Sequence, residues 1–95
     1  MKVEYDLESL DPFFQTFPAE EKALLQETLM YFKALMHTAT PKSLRYQATE
    51  YLPTGAMRPV YYKAFFYAHI SIFVHFTCDR AQQLILVQQI TYHYK

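Results

Sequence analysis

The sequence predicts a single α+β domain over residues 1–95, with two N-terminal helices packed on one face of a small antiparallel sheet. Three observations predict it. Apolar residues recur at three- and four-residue steps between Leu7 and Met36, the period of a helix face. Two apolar runs, Ile70 to Thr77 and Leu84 to Ile90, are shorter than a typical helix and rich in Ile, Val, Phe and Leu, which marks strands. Between the two regions Pro53, the one glycine (Gly55) and Pro59 interrupt any long element.

Taken in order, Lys2 to Tyr5 reads as a short strand with Val3 and Tyr5 on one side, and Asp6 follows as an N-cap. A first helix spans roughly Leu7 to Phe17. Pro12 allows either a start at Asp11, with Pro12 in the first turn, or two turns with a kink between them. A second helix follows Pro18. Glu20 and Glu21 suit the positive end of its dipole, Ala23, Leu24, Leu25, Leu29, Phe32, Leu35 and Met36 form its apolar stripe, and Thr38 to Pro41 stops it. Residues Lys42 to Pro59 read as an irregular segment in which Leu44, Tyr46, Tyr51 and Leu52 anchor a loop or one short strand against the core, a setting in which functional side chains tend to sit.

The sheet comes last. Val60, Tyr62, Ala64 and Phe66 form the apolar face of one strand and Tyr61, Lys63, Phe65 and Tyr67 its mixed face. In the next strand Ile70, Ile72, Val74 and Phe76 should pack on the helices, opposite Ser71, Phe73, His75 and Thr77. A loop at Cys78 to Gln83 reverses the chain into Leu84 to Tyr94. The sequence leaves the register of this pair open. If Phe76 opposes Ile85, Tyr92 falls beside His69 and Tyr94 beside Tyr67, while one residue of slip puts His93 beside His69 instead.

Charge is balanced overall and divided along the chain. Residues 1–27 carry seven acids against Lys2 and Lys22, a balance of −5, and residues 28–95 carry seven bases against Glu50 and Asp79, a balance of +5. Such a basic portion can meet phosphates, with the acidic portion arguing against non-specific nucleic-acid binding, or both portions can be ordinary solvated faces. The lone Cys78 excludes an intrachain disulfide and fits a small core or turn residue. The opening Met-Lys-Val-Glu-Tyr-Asp is too acidic and too poor in apolar residues for a signal peptide, and no apolar run approaches the roughly 20 residues of a membrane span. A soluble cytoplasmic protein without membrane contact is expected.

No cofactor is expected. One glycine cannot build a phosphate-cradling loop, and the four histidines and one cysteine show no metal-ligand spacing. Ser71, His93 and Asp79 can be assembled as a triad on paper, with nothing in their spacing to single them out. His75, between Val74 and Phe76, reads as structural. Nine tyrosines, several of them in the sheet or at its ends, exceed what one core can satisfy internally, so some should be exposed as a stacking or protein-binding surface.

The order strand, helix, helix, loop and antiparallel sheet, together with Met-Lys-Val before an acidic turn, Glu8-Ser9-Leu10-Asp11, Thr40-Pro41 and the ending Tyr92-His93-Tyr94, resembles the RelE/ParE superfamily of bacterial toxins, most nearly the YoeB type. The resemblance implies the toxin of a toxin-antitoxin pair, a cognate antitoxin as partner and a possible homodimer. In the RelE and YoeB branches it also implies metal-independent cleavage of messenger RNA on the ribosome. That reaction needs a base for the ribose 2′-hydroxyl, an acid for the leaving 5′-oxygen and cations for the phosphoryl oxygens. On the matching positions, the implied catalytic residues are His93, Tyr94, Glu50, Arg58 and Lys63. Lys42, Arg45, His69 and Tyr92 are the implied RNA-binding residues. Where the family carries an arginine at the start of the strand His69-Ile70-Ser71, this chain has Ile70, and it has only three arginines in all. The alternative expectation is therefore a non-catalytic member of the fold, such as a ParE-like inhibitor of DNA gyrase or an inactive antitoxin-binding module.

Overall fold

The computed structural model describes residues 1–44, 48–51 and 53–95, with 48–51 and Arg58 described by their backbone alone. Among the described residues five strands and two helices follow one another as β1 (Lys2–Tyr5), α1 (Leu7–Thr16), α2 (Lys22–Thr38), β2 (Ala48–Tyr51), β3 (Met57–Phe66), β4 (Ile70–Asp79) and β5 (Leu84–Tyr94). Short 3-10 turns at Ala19–Glu21 and Pro41–Ser43 flank α2. The α+β class and the order of elements agree with the sequence.

Asp6 caps α1, accepting from the Ser9 backbone N–H at 3.2 Å and the Ser9 hydroxyl at 2.9 Å. The helix runs unbroken past Pro12 to Thr16, so neither a start at Asp11 nor two separate turns describes it. Pro12 has no N–H to offer the Glu8 carbonyl, and Glu8 is exposed, where water can replace that bond. Along α2 the buried positions are Leu25, Thr28, Phe32 and Met36, a stripe at three- and four-residue steps. Ala23 and Leu35, expected in that stripe, lie outside it.

The strand order is β1-β5-β4-β3-β2. β2, β3, β4 and β5 pair antiparallel, but β1 lies parallel to β5, with Val3 opposite Ile85 and Tyr5 opposite Val87. The sheet is therefore mixed rather than antiparallel. A four-residue edge strand carries no sequence signal for its direction, and here its backbone is satisfied by the last strand of the chain, with Lys2 N–H to Gln83 O at 3.2 Å and Asp6 N–H to Val87 O at 2.9 Å.

Ile70, Ile72, Val74 and Phe76 of β4, with Ile85, Val87 and Ile90 of β5, meet Leu10, Phe17, Leu25, Phe32 and Met36 to form the core. On β3 the mixed set faces the helices. Tyr61, opposite Phe76, is buried, while Tyr62 and Phe66 of the apolar set stay exposed. Counting apolar residues misjudged that strand because its second face carries aromatic side chains that no helix covers.

The β4–β5 turn is tighter than the predicted loop. Asp79 pairs with Leu84, and the Asp79 carboxylate accepts the N–H groups of Ala81 (3.0 Å) and Gln82 (3.1 Å). Phe76 consequently opposes Val87 rather than Ile85. A register shift between His75 and Phe76 then gives β5 one more residue than β4, so that Val74 opposes Ile90 and Ile70 opposes Tyr94. No helix among the described residues is long and apolar enough to cross a membrane.

Candidate functional site

The end of β5 carries different chemistry on its two faces. Directly opposed residues of neighbouring strands project to the same side of a sheet. Tyr92 and Tyr94 oppose Ile72 and Ile70 and so point to the helix side, whereas His93 opposes Ser71 and points to the helix-free side.

On the helix side, the Tyr92 ring packs edge-on against Phe17 at 5.2 Å and Phe13 at 6.3 Å, tying α1 to the sheet. Tyr94 stands 5.8 Å from Tyr92 and is half exposed. Partial desolvation raises the Tyr94 phenol above its ordinary 10.0, and the negative charges of Glu21 and Glu20 add to that. Beside Tyr94, His69 in the β3–β4 turn places Nε2 at 2.9 and 3.0 Å from the two carboxylate oxygens of Glu21. The Glu21 side chain is only 12% exposed and that of His69 is 56% exposed. Lys95 closes the corner, its backbone N–H bonded to His69 O at 3.0 Å and its Nζ to Tyr67 O at 2.6 Å.

On the helix-free side, aromatic rings tile the surface around Phe73. Tyr62 lies 6.0 Å from it, Phe66 6.2 Å and His93 5.9 Å, all edge-to-face. His75 adjoins Tyr62 at 5.9 Å and places Nε2 3.0 Å from the Thr91 hydroxyl, the structural role expected of it. Burial lowers the His75 pKa below its ordinary 6.5, so the neutral ring is favoured. Phe66 is 70% exposed and Tyr62 43%. Lys95 Nζ sits 5.7 Å above the Phe66 ring, a cation–π contact at the margin of the patch.

The residues implied for RNA cleavage are not brought together. Glu50 and Arg58 are register partners across β2 and β3. Arg58 lies eight residues before Phe66, whose rung continues through Ser71 to His93. At about 3.3 Å per residue the two rungs are roughly 26 Å apart. Lys63 opposes Val74 and so falls on the helix side, away from His93, at the rim of a groove with Leu35, Met36 and Leu44. Lys42 is exposed in the 3-10 turn after α2, and Arg45 lies outside the described residues. Of the nine, His69, Tyr92 and Tyr94 share one corner. His93 is separated from them by the sheet.

The Glu21–His69 contact leaves no mark in the sequence, and the exposed aromatic face leaves only a partial one. Glu21 was assigned to a helix dipole, and nothing in one dimension links it to His69, 48 positions later. The Phe73 patch had a signal, since Tyr62 and Phe66 alternate with core-facing residues just as Phe73 and His75 do, but an alternating aromatic strand reads equally well as buried. Cys78 is half-buried with its Sγ 3.7 Å from Met1 Sδ, and burial pushes the thiol upward, which suits packing rather than nucleophilic attack.

Comparison of the chain with protein-family models, with curated proteins and with solved structures returned no match.

Proposed function

We propose that this chain is the toxin-type member of a toxin-antitoxin pair, a RelE/ParE-like domain that acts by binding rather than by cleaving RNA. The observation that carries this reading is the helix-free sheet face, where Phe66 and Tyr62 stay exposed around Phe73. Aromatic side chains enriched at a patch whose centre lacks charged residues are the composition of a protein-interface core. The antitoxin is assigned to this face. The element order strand, helix, helix and antiparallel strands supports the choice of family, and the distance between His93 and the Glu50–Arg58 rung supports binding over catalysis.

The second reading, a ribosome-dependent endoribonuclease with His93 as acid or base, is favoured by one observation. Glu50 and Arg58 are paired in register, which sets a carboxylate-bearing and a guanidinium-bearing residue side by side.

The test co-expresses the chain with the protein encoded by the neighbouring reading frame. A stable complex lost in Phe66→Glu, with the variant still folded by circular dichroism, is the expected result. Growth arrest on expression of the chain alone should persist in His93→Ala without messenger cleavage. A complex untouched by Phe66→Glu overturns the assigned face. Messenger cleavage that disappears in a folded His93→Ala variant replaces the binding reading with the enzymatic one.

A further inference from the structure

The four histidines of the chain have different surroundings. His75 meets the Thr91 hydroxyl through Nε2 and packs on Tyr62, and the His93 ring stands against Phe73. His37 is exposed in the last turn of α2. Among the described residues His69 alone of the four is paired with a carboxylate, its Nε2 lying 2.9 and 3.0 Å from the two Glu21 oxygens. An ionised carboxylate only accepts hydrogen bonds, so in the neutral ring the proton sits on Nε2 and the lone pair on Nδ1. No described group bonds Nδ1, and the side chain is more than half exposed, so that lone pair is open to solvent. The pairing is uneven. Glu21 is nearly buried, and a partner that water reaches returns only part of its desolvation cost. Such a contact adds little stability, but it fixes the tautomer and the orientation of an exposed imidazole.

The same corner can accept an anionic group on Nδ1. Lys95 ends the chain there, its backbone N–H bonded to the His69 carbonyl at 3.0 Å. Lys22 follows Glu21, and the positive end of the α2 dipole begins at this point without a side-chain cap. These offset the charges of Glu20 and Glu21. Tyr94, half exposed and in register with Ile70, brings a hydroxyl donor to the corner.

We propose that Nδ1 of His69 is a phosphoryl-accepting site for small activated donors of the acyl phosphate class. The Nδ1 lone pair forms the bond to phosphorus as the bond from phosphorus to the bridging oxygen breaks, and the carboxylate leaves with that electron pair. The ring becomes a cation that keeps its Nε2 proton, and the Glu21 carboxylate faces the new charge. His69 meets the donor, and Glu21 is a positioning residue that acts through it. The site lies on the helix side of the sheet, away from the Phe73 face, so it stands or falls independently of the antitoxin assignment.

The probe is phosphoramidate, from which ammonia leaves in place of the carboxylate, applied to the full chain at about pH 8, where an ordinary imidazole is neutral. The first acid-labile phosphoryl group should appear on His69, and heteronuclear NMR should place it on Nδ1. An imidazole without an orienting partner reacts mainly at the less crowded Nε2, so the isomer reports orientation as well as exposure, and His37 is the internal comparison. Glu21→Gln, whose amide can face either tautomer, should slow formation of the Nδ1 isomer about tenfold and move product to Nε2, with circular dichroism unchanged. His69→Gln should remove the modification. A chain that gains no phosphoryl group overturns the proposal, as does modification confined to His37 or to Nε2 of His69. A folded Glu21→Gln chain with the original rate and isomer overturns it as well. If Glu21→Gln does not fold, the isomer formed on His69 of the unsubstituted chain decides.

Discussion

His69 is fastened to Glu21 through both carboxylate oxygens, and the carboxylate is the buried partner of the two. The contact joins the β3–β4 turn to the entrance of α2 across 48 positions of sequence, at the corner where Tyr94 and Lys95 end the chain. Because His69 is more than half exposed, solvent screens much of the attraction and the pair should contribute only about 1 kcal/mol. A double-mutant cycle of Glu21→Gln and His69→Gln in urea denaturation should return a coupling energy of that size. Strictly additive losses would mean that the two side chains are neighbours without energetic linkage.

The Thr28 hydroxyl is fully buried, 2.7 Å from the Leu24 carbonyl and 2.6 Å from the Tyr67 hydroxyl. Its one proton goes to the carbonyl, so Tyr67 is the donor in the second bond. Thr28→Val removes the acceptor and strands a half-buried phenol, at a cost of about 1–3 kcal/mol, whereas Tyr67→Phe leaves Thr28 its bond to Leu24 and should cost about 1 kcal/mol. Thr28→Val should therefore lower the urea midpoint more than Tyr67→Phe, and the double variant should lose less than the sum. The reverse ranking would show that water reaches the phenol.

His75 links protonation to folding. Burial lowers its pKa in the folded chain below the ordinary 6.5 that applies when unfolded, so the unfolded state takes up the proton first as pH falls. Stability is unaffected above the unfolded value and declines as pH drops through it toward the folded value. His75→Asn, which keeps a polar atom near Thr91, should flatten that part of the pH–stability curve. The measurement is the thermal midpoint from neutral pH into the acid range, and an unchanged slope in the variant would assign the decline to other groups.

The helices and β4 were legible because their burial is one-sided. Phe32 and Met36 on α2, and Ile70, Ile72, Val74 and Phe76 on β4, obey the periods of 3.6 and 2 that elementary geometry requires. β3 was less legible, since Tyr62 and Phe66 are as apolar as core residues and only the absence of a covering layer exposes them. The direction of β1 depended on a partner strand more than 80 residues away. At the candidate site, residue types were readable but their convergence was not. Whether Tyr92, His93 and Tyr94 meet His69 depends on where Asp79 closes its turn and on one register shift, neither of which leaves a mark in hydropathy.

That register shift between His75 and Phe76 acts as a phase switch for the end of the chain. If the same residues paired without a bulge, the alternation that puts Ile85 and Val87 under the helices would carry on and deliver His93 to that side, beside His69 and Glu21, while Tyr92 and Tyr94 would turn outward next to Phe73. The bulge, accommodating the extra residue, keeps Tyr92 as the α1 anchor and His93 on the opposite surface. A single-codon deletion between Val87 and Ile90 would remove the bulge together with its extra residue, leaving Ile90, Tyr92 and Tyr94 on the helix side and His93 on the other. Which surface carries His93 is thus decided by the bulge itself rather than by the number of residues in β5.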